Sequence, residues 1–272
     1  MKTRTKQSAA KHRVMKKNVL RLAKVVEHDR PRSSDARILK RVRRPRSTSS
    51  PPTNPATKGF PVIAMAASVG GLDALSVILG GLPADFPAAI AIVMHLSPDR
   101  ESILAEILNR RTPLPVRQAR TGDVLCASCV FVAPPNHHLF VAPGGRLRLS
   151  STAAKKINHA RPSAEPLFVS VAAVYRQNAI AVVLTGGDGD GSFGVQVVKD
   201  HGGTVIAQDR PTSRDFSMPE TSIRTGDVDF ILPLDEIAAK LIQLVKARPG
   251  PAKFVSRPRS AGTKIAPAQR RK

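Results

Sequence analysis

Apolar positions between residues 60 and 245 follow two alternating patterns. One is a short run that is apolar almost throughout: FPVIAMA (60–66), AAIAIVM (88–94), VFVAPP (130–135), NAIAVVLT (178–185), GTVIAQ (203–208) and DFILP (229–233). Runs of this kind predict strands covered on both faces. The other has the 3.6-residue helical period, over Leu72 to Leu79, Ser102 to Arg110, Ala164 to Tyr175, Phe193 to Asp200 and Asp235 to Val245. Two further short runs, LFVA and RLRLS, flank Pro143-Gly144-Gly145 and predict a hairpin. Strand and helix alternate without an internal repeat. The pattern predicts an α/β fold: a doubly wound, mainly parallel sheet with helices on both faces and an inserted β-hairpin.

Charge divides the chain differently. Residues 1–58 carry 18 Lys and Arg against 3 Asp and Glu, and residues 246–272 carry 9 against none. Of the totals of 43 and 20, this leaves 16 basic and 17 acidic side chains for residues 59–245. The formal charge of +23 therefore resides in the two ends. Both ends are rich in Arg, Lys, Ser and Pro and lack core-forming residues, so they predict basic disordered tails over 1–58 and 246–272 around a catalytic domain over 59–245. Such tails are suited to an acidic protein, an anionic membrane surface or nucleic acid, and Val14 to Val26 has the pattern of a short basic helix on a partner. A solvated tail that only aids solubility is the plainer alternative.

Cys126 and Cys129 stand in CASC with no second pair, which argues against a closed zinc site, and the segment leads into a strand rather than a helix, which argues against a redox motif. No run reaches 18 apolar residues, and the basic N-terminus has no apolar signal-peptide core. The expectation is a soluble, cytoplasmic protein.

In a parallel sheet the working residues collect beyond the C-terminal ends of the strands. That edge receives Ser68 after the first strand, His95 after AIAIVM, and TGGDGDG (185–191) after AIAVVL. A serine hydroxyl is a weak nucleophile until a base takes its proton, and the base needs a third group to orient it. Ser68, His95 and one of Asp188 or Asp190 supply the three types. Ala66-Ala67-Ser68-Val69-Gly70 is close to the G-x-S-x-G elbow, and the Val69 amide falls where a helix N-terminus faces an oxyanion. A second donor is available in the turn around Gly187. Each piece alone has a plainer reading: Ser68 as a turn or cap residue, His95 as a satisfied histidine at a strand end. GGDGDG lacks the later carboxylates of an EF-hand and the Lys-Ser/Thr of a P-loop, and the Ser68 turn lacks the third glycine of a dinucleotide site. His137, His138 and His159 do not make a metal set.

The order Ser, His, Asp differs from that of the α/β-hydrolases. With AASVGG, VMHLSPD, VFVAPPNHHL, RPSAEPLF, AVVLTGGDGDG, GGTVIAQD and FSMPETSI, all in family order across residues 60–245, the chain resembles the catalytic domain of CheB-type chemotaxis protein-glutamate methylesterases. The resemblance implies hydrolysis of glutamate γ-methyl esters, with deamidation of glutamine in some members, on methyl-accepting chemotaxis receptors. By position it implies Ser68 as nucleophile, His95 as base and Asp190 as acid, with the Val69 and Gly187 amides as oxyanion donors and no cofactor or metal.

Three departures qualify the resemblance. Val69 stands where threonine is usual. TGMG reads Thr185-Gly186-Gly187-Asp188, which adds a carboxylate expected to raise the His95 pKa or repel an anionic product. A basic stretch occupies the place of the phosphorylatable receiver domain, which implies constitutive or partner-controlled activity. Two alternatives remain: a carboxylesterase or amidase with a substrate other than a chemoreceptor, and a nonenzymatic basic-tailed binding protein.

Overall fold

The computed structural model describes residues 59–97 and 101–248. The predicted tails lie outside these residues, apart from Lys246 to Arg248, as does the Val14 to Val26 helix. Nine strands and six α-helices form among the described residues. The strands are β1 (Val62–Ala67), β2 (Ala89–Met94), β3 (Val116–Gln118), β4 (Val130–Val132), β5 (Leu139–Ala142), β6 (Arg146–Leu149), β7 (Ala179–Val183), β8 (Thr204–Gln208) and β9 (Phe230–Leu232). The helices are α1 (Gly71–Gly80), α2 (Leu104–Asn109), α3 (Ala164–Tyr175), α4 (Ser192–Asp200), α5 (Ser217–Ile223) and α6 (Leu234–Lys246). All the strands and helices predicted within the described residues form; the sequence pattern missed β3 and α5, the one only three residues long and the other seven.

Seven strands pair in the order β3-β4-β2-β1-β7-β8-β9, and every pairing is parallel. The predicted hairpin forms a separate antiparallel pair, β5 with β6. The chain builds outward from β1 through β2, then resumes at β7 on the other side of β1. The crevice between the C-terminal ends of β1 and β7 is therefore the switch point of the sheet, where sites of this architecture lie.

Alternation along each strand makes two cores of different texture. In β1, Ile63 and Met65 point to one face with Ile90 and Ile92 of β2 and Ile180 and Val182 of β7, against Leu75, Ile78 and Leu79 of α1 and Ile237 and Leu241 of α6. Ala64 and Ala66 point to the other with Ala89, Ala91 and Ala181, against Leu167, Phe168 and Val171 of α3, Val195 of α4 and the hairpin's Leu139 and Val141. Alanines on this face let α3 come close to the sheet centre, so the start of α3 reaches the edge that carries Ser68 and His95.

The β1–α1 turn shows why the sequence there is small. Gly70 has φ +80°, a left-handed conformation that glycine adopts without penalty. A Cβ on Gly71 would lie 2.7 Å from the Ala67 Cβ, so helix and strand approach too closely for a side chain at that position.

Candidate active site

Ser68 follows β1, and its N–H donates to the Thr185 carbonyl at 2.9 Å, tying it to the end of β7. His95 follows β2, and its N–H donates to the Ala67 carbonyl at 3.1 Å. The β1–β2 ladder pairs Ala66 with Val93 and Ala67 with Met94, so the next rung sets Ser68 beside His95. Adjacent strands are about 4.8 Å apart, which brings the two side chains to neighbouring positions on one edge. Among the described residues the Ser68 hydroxyl makes no hydrogen bond to His95.

The His95 ring is held from the β7–α4 loop. Its Nε2 lies 2.9 Å from Asp190 Oδ2, and its Nδ1 lies 3.4 Å from Asp188 Oδ2. Asp190 is fully buried. Ser163 Oγ donates to its Oδ1 at 2.6 Å, Asn158 Nδ2 donates to the same oxygen at 3.1 Å, and the Ala164 N–H donates to Oδ2 at 2.6 Å. Four donors, counting the ring, hold a carboxylate that water does not reach, so its orientation is set before any substrate arrives. Ser163 also caps α3 by accepting the Glu165 N–H at 3.3 Å, so the same hydroxyl starts the helix and anchors the acid.

Burial alone would lower the His95 pKa, but the hydrogen bond to Asp190 and the charges of Asp190 and Asp188 outweigh it, and the ring holds its proton more tightly than an ordinary histidine. Burial raises the Asp188 pKa, and the Asp190 charge adds to the rise, while the Asp190 N–H, His95 and His159 oppose it. Behind Asp190, Glu165 is fully buried and accepts the N–H groups of Gly191 at 3.0 Å, Phe193 at 3.2 Å and Gly194 at the start of α4. Burial and the neighbouring Asp190 nevertheless push its pKa up to about 8. His138, also fully buried, accepts the Ser163 N–H at Nδ1 (3.2 Å) and donates from Nε2 to the Lys155 carbonyl at 2.9 Å. It is a structural histidine that supports the α3 start. Burial lowers its pKa.

Val69 and Gly187 face each other across the turn: a Cβ on Gly187 would lie 3.9 Å from Val69 Cγ2 and 3.0 Å from Asp215 Oδ2. Neither amide finds an acceptor among the described residues. Thr185 ties the loops around them together, donating from Oγ1 to the Val69 carbonyl at 2.8 Å and accepting the Asp215 N–H at 2.9 Å. A cleft of about 180 Å³ opens beside His95, lined also by Asp188, Lys156, His159 and Arg161. Among the described residues, no three of His, Cys, Asp and Glu gather as a metal-ligand set.

The structure thus joins His95 directly to Asp190, sets Ser68 on the adjacent strand end, and leaves two free amides at Val69 and Gly187. The sequence reading did not single out Asn158, Thr185, Glu165 or Ser163 as supports. Ser163, Glu165 and Thr185 fall inside the RPSAEPLF and AVVLTGGDGDG stretches; Asn158 carries no signal in its surroundings. Cys126 and Cys129 are joined as a disulfide ahead of β4, at the opposite edge of the sheet. No helix among the described residues is long and apolar enough to cross a membrane.

The same core is found in known proteins. A family model described as CheB methylesterase matches residues 63–241. Over 185 residues the chain is 43% identical to protein-glutamate methylesterase/protein-glutamine glutaminase 2 of Anaeromyxobacter dehalogenans, covering 68% of this chain and 53% of that protein. It is 37% identical over 194 residues to the protein-glutamate methylesterase/protein-glutamine glutaminase of Thermotoga maritima, covering 71% of this chain and 56% of that one. This chain thus spans about half the length of these curated relatives. The crystal structure of the Thermotoga maritima CheB methylesterase catalytic domain aligns with a TM-score of 0.65 at 36% identity, covering 68% of this chain and 99% of that domain. By sequence and by fold, the chain belongs to the CheB methylesterase family.

Proposed function

We propose that this protein is a serine hydrolase that cleaves glutamate γ-methyl esters on methyl-accepting chemotaxis receptors, with glutamine deamidation as the parallel reaction. Ser68 is the nucleophile, His95 the base and Asp190 the acid that orients it. The observation that carries this reading is the strand register, which sets Ser68 beside a histidine already held by a buried carboxylate. The names of the relatives supply the reaction class.

With the Nε2–H of His95 donated to Asp190, Nδ1 is the ring nitrogen left to accept a proton. Nδ1 takes the Ser68 hydroxyl proton as Oγ attacks the ester carbonyl carbon. The oxyanion that forms meets the Val69 and Gly187 amides, which have no other acceptor to give up; losing one such donor typically costs about 10²–10³ in kcat. The imidazolium returns its proton to the departing methoxide, releasing methanol and leaving a γ-glutamyl ester on Ser68 Oγ. Water gives a proton to His95 and attacks this ester, Ser68 leaves with that proton, and the glutamate carboxylate is freed. The net reaction consumes one water and yields methanol and a glutamic acid. For glutamine the leaving group is ammonia.

Methanol release from a methylated chemoreceptor, compared between the wild type and Ser68→Ala, tests the reading. Release by the wild type and none by a folded Ser68→Ala is expected. No release by a folded wild type would overturn the receptor reading, and turnover of small esters in that case would identify a carboxylesterase with another substrate.

A further inference from the structure

His95 is held by two carboxylates, one at each ring nitrogen: Asp190 at Nε2, 2.9 Å away, and Asp188 at Nδ1, 3.4 Å away. The reaction proposed above uses only the first. A neutral imidazole has a single N–H, and here Asp190 takes it, so a neutral ring would leave an unprotonated Nδ1 3.4 Å from a carboxylate oxygen. Two acceptors facing each other at this distance repel, and a second ring proton turns that repulsion into an ion pair. We propose that Asp188 is a positioning residue: its carboxylate holds the Nδ1 edge of His95 in the imidazolium form and so competes with Ser68 for the one ring nitrogen left to act as base. This rests on the assignment of Ser68 and His95 to a common reaction.

The surroundings favour such a contact. Asp188 is anchored by its own loop, because its Oδ1 accepts the Asp190 N–H at 3.0 Å, so its other oxygen is presented to the ring. The Asp188 side chain is 37% exposed against 14% for His95, so water and substrate reach the contact from the cleft side. The charged and titratable groups around the pair are Asp190 on the far ring nitrogen, with Glu165 and His138 behind it, and Lys156, His159 and Arg161 across the cleft. His159 favours the ionised form of Asp188 and so strengthens its hold on the ring. The direction of the His95 shift agrees, with Asp188 among the causes that raise it.

Activation of Ser68 then begins with loss of the Nδ1 proton and separation of the ring from Asp188. The acid limb of the rate profile therefore reports a proton that Asp188 helps to retain. A substrate that fills the cleft displaces this contact, whereas in an empty site Asp188 keeps its hold on the ring.

Two measurements on the full chain test this. The first is the histidine NMR titration of the resting protein, with His95 assigned by its absence from His95→Gln; the second is the pH profile of kcat/KM for ester hydrolysis. Both are made for the wild type, Asp188→Asn and Asp188→Gly. The His95 titration and the acid limb are expected to move down together by about one pH unit in both variants, raising kcat/KM below the wild-type limb about tenfold. An unmoved His95 titration in folded variants overturns the proposal, as does activity lowered equally at every pH. If the titration moves but no variant or wild type cleaves the ester, Asp188 holds the ring as proposed and the reaction assignment is what fails.

Discussion

The backbone of Gly186 runs against Ser68: a Cβ added to Gly186 would lie 2.9 Å from the Ser68 Cβ and 3.0 Å from Met218 Cγ. This close approach sets the Ser68 side chain against the end of β7. Gly186→Ala leaves no room for Met218 of α5 and displaces the serine. It is expected to lower stability by about 1–3 kcal/mol and to reduce ester hydrolysis more than substrate binding. Urea unfolding alongside kcat and KM checks this; wild-type kcat in a folded Gly186→Ala would contradict it.

In the proposed reaction Asp190 orients His95 and balances the charge the ring acquires. Asp190→Asn preserves the size of the side chain but removes that charge, and a drop in kcat of roughly 10³–10⁴ is expected. Ser163→Ala removes one donor to Asp190 together with the cap of α3, and is expected to cost about 1 kcal/mol of stability with a smaller loss of kcat than Asp190→Asn. Steady-state kinetics and thermal melts of the two variants separate the effects.

Folding should respond to pH through Glu165 and His95. Both have folded pKa values above their ordinary ones, so between about pH 4.5 and 8 these two groups together bind more protons in the folded chain than in the unfolded one, while His138, with its lowered pKa, works the other way below its ordinary value. By linkage these two groups stabilise the fold fully at the acid end of that window, and their contribution is lost as pH rises through the folded values. Melting curves from pH 5 to 8.5 should show this decline in Tm, and Glu165→Gln should flatten it. The same substitution places an amide N–H₂ among the Gly191, Phe193 and Gly194 donors, so its Tm should be lower at every pH in the series.

The Cys126–Cys129 disulfide closes a very short loop at the sheet edge remote from Ser68. Loop entropy assigns such a link less than the about 3 kcal/mol of a 15-residue loop. The double variant Cys126→Ser, Cys129→Ser is expected to retain wild-type kcat/KM with a small change in Tm; loss of activity without loss of fold would show that this edge communicates with the site.

Much of this protein is legible in its sequence. Wholly apolar runs such as AIAIVM and AIAVVL announce buried parallel strands, because a strand covered on both faces has no position for a polar side chain. Ser68, His95 and Asp190 fall on one edge because strands in a parallel sheet all end on the same side. Tertiary structure alone decided the strand order that makes β1 and β7 neighbours, and with it the register that sets Ser68 beside His95. It also decided β3 and α5, which are too short to show a period: β3 exists by its pairing with β4 at the sheet edge, and α5 by burial of Met218, Pro219 and Ser222. The hold of Asn158 and Ser163 on Asp190 spans 32 and 27 residues of chain, and the contact of Asp188 with Nδ1 spans the sheet switch point. Local patterning records which face of an element is buried, but which polar groups meet across the fold depends on packing between elements distant in the chain.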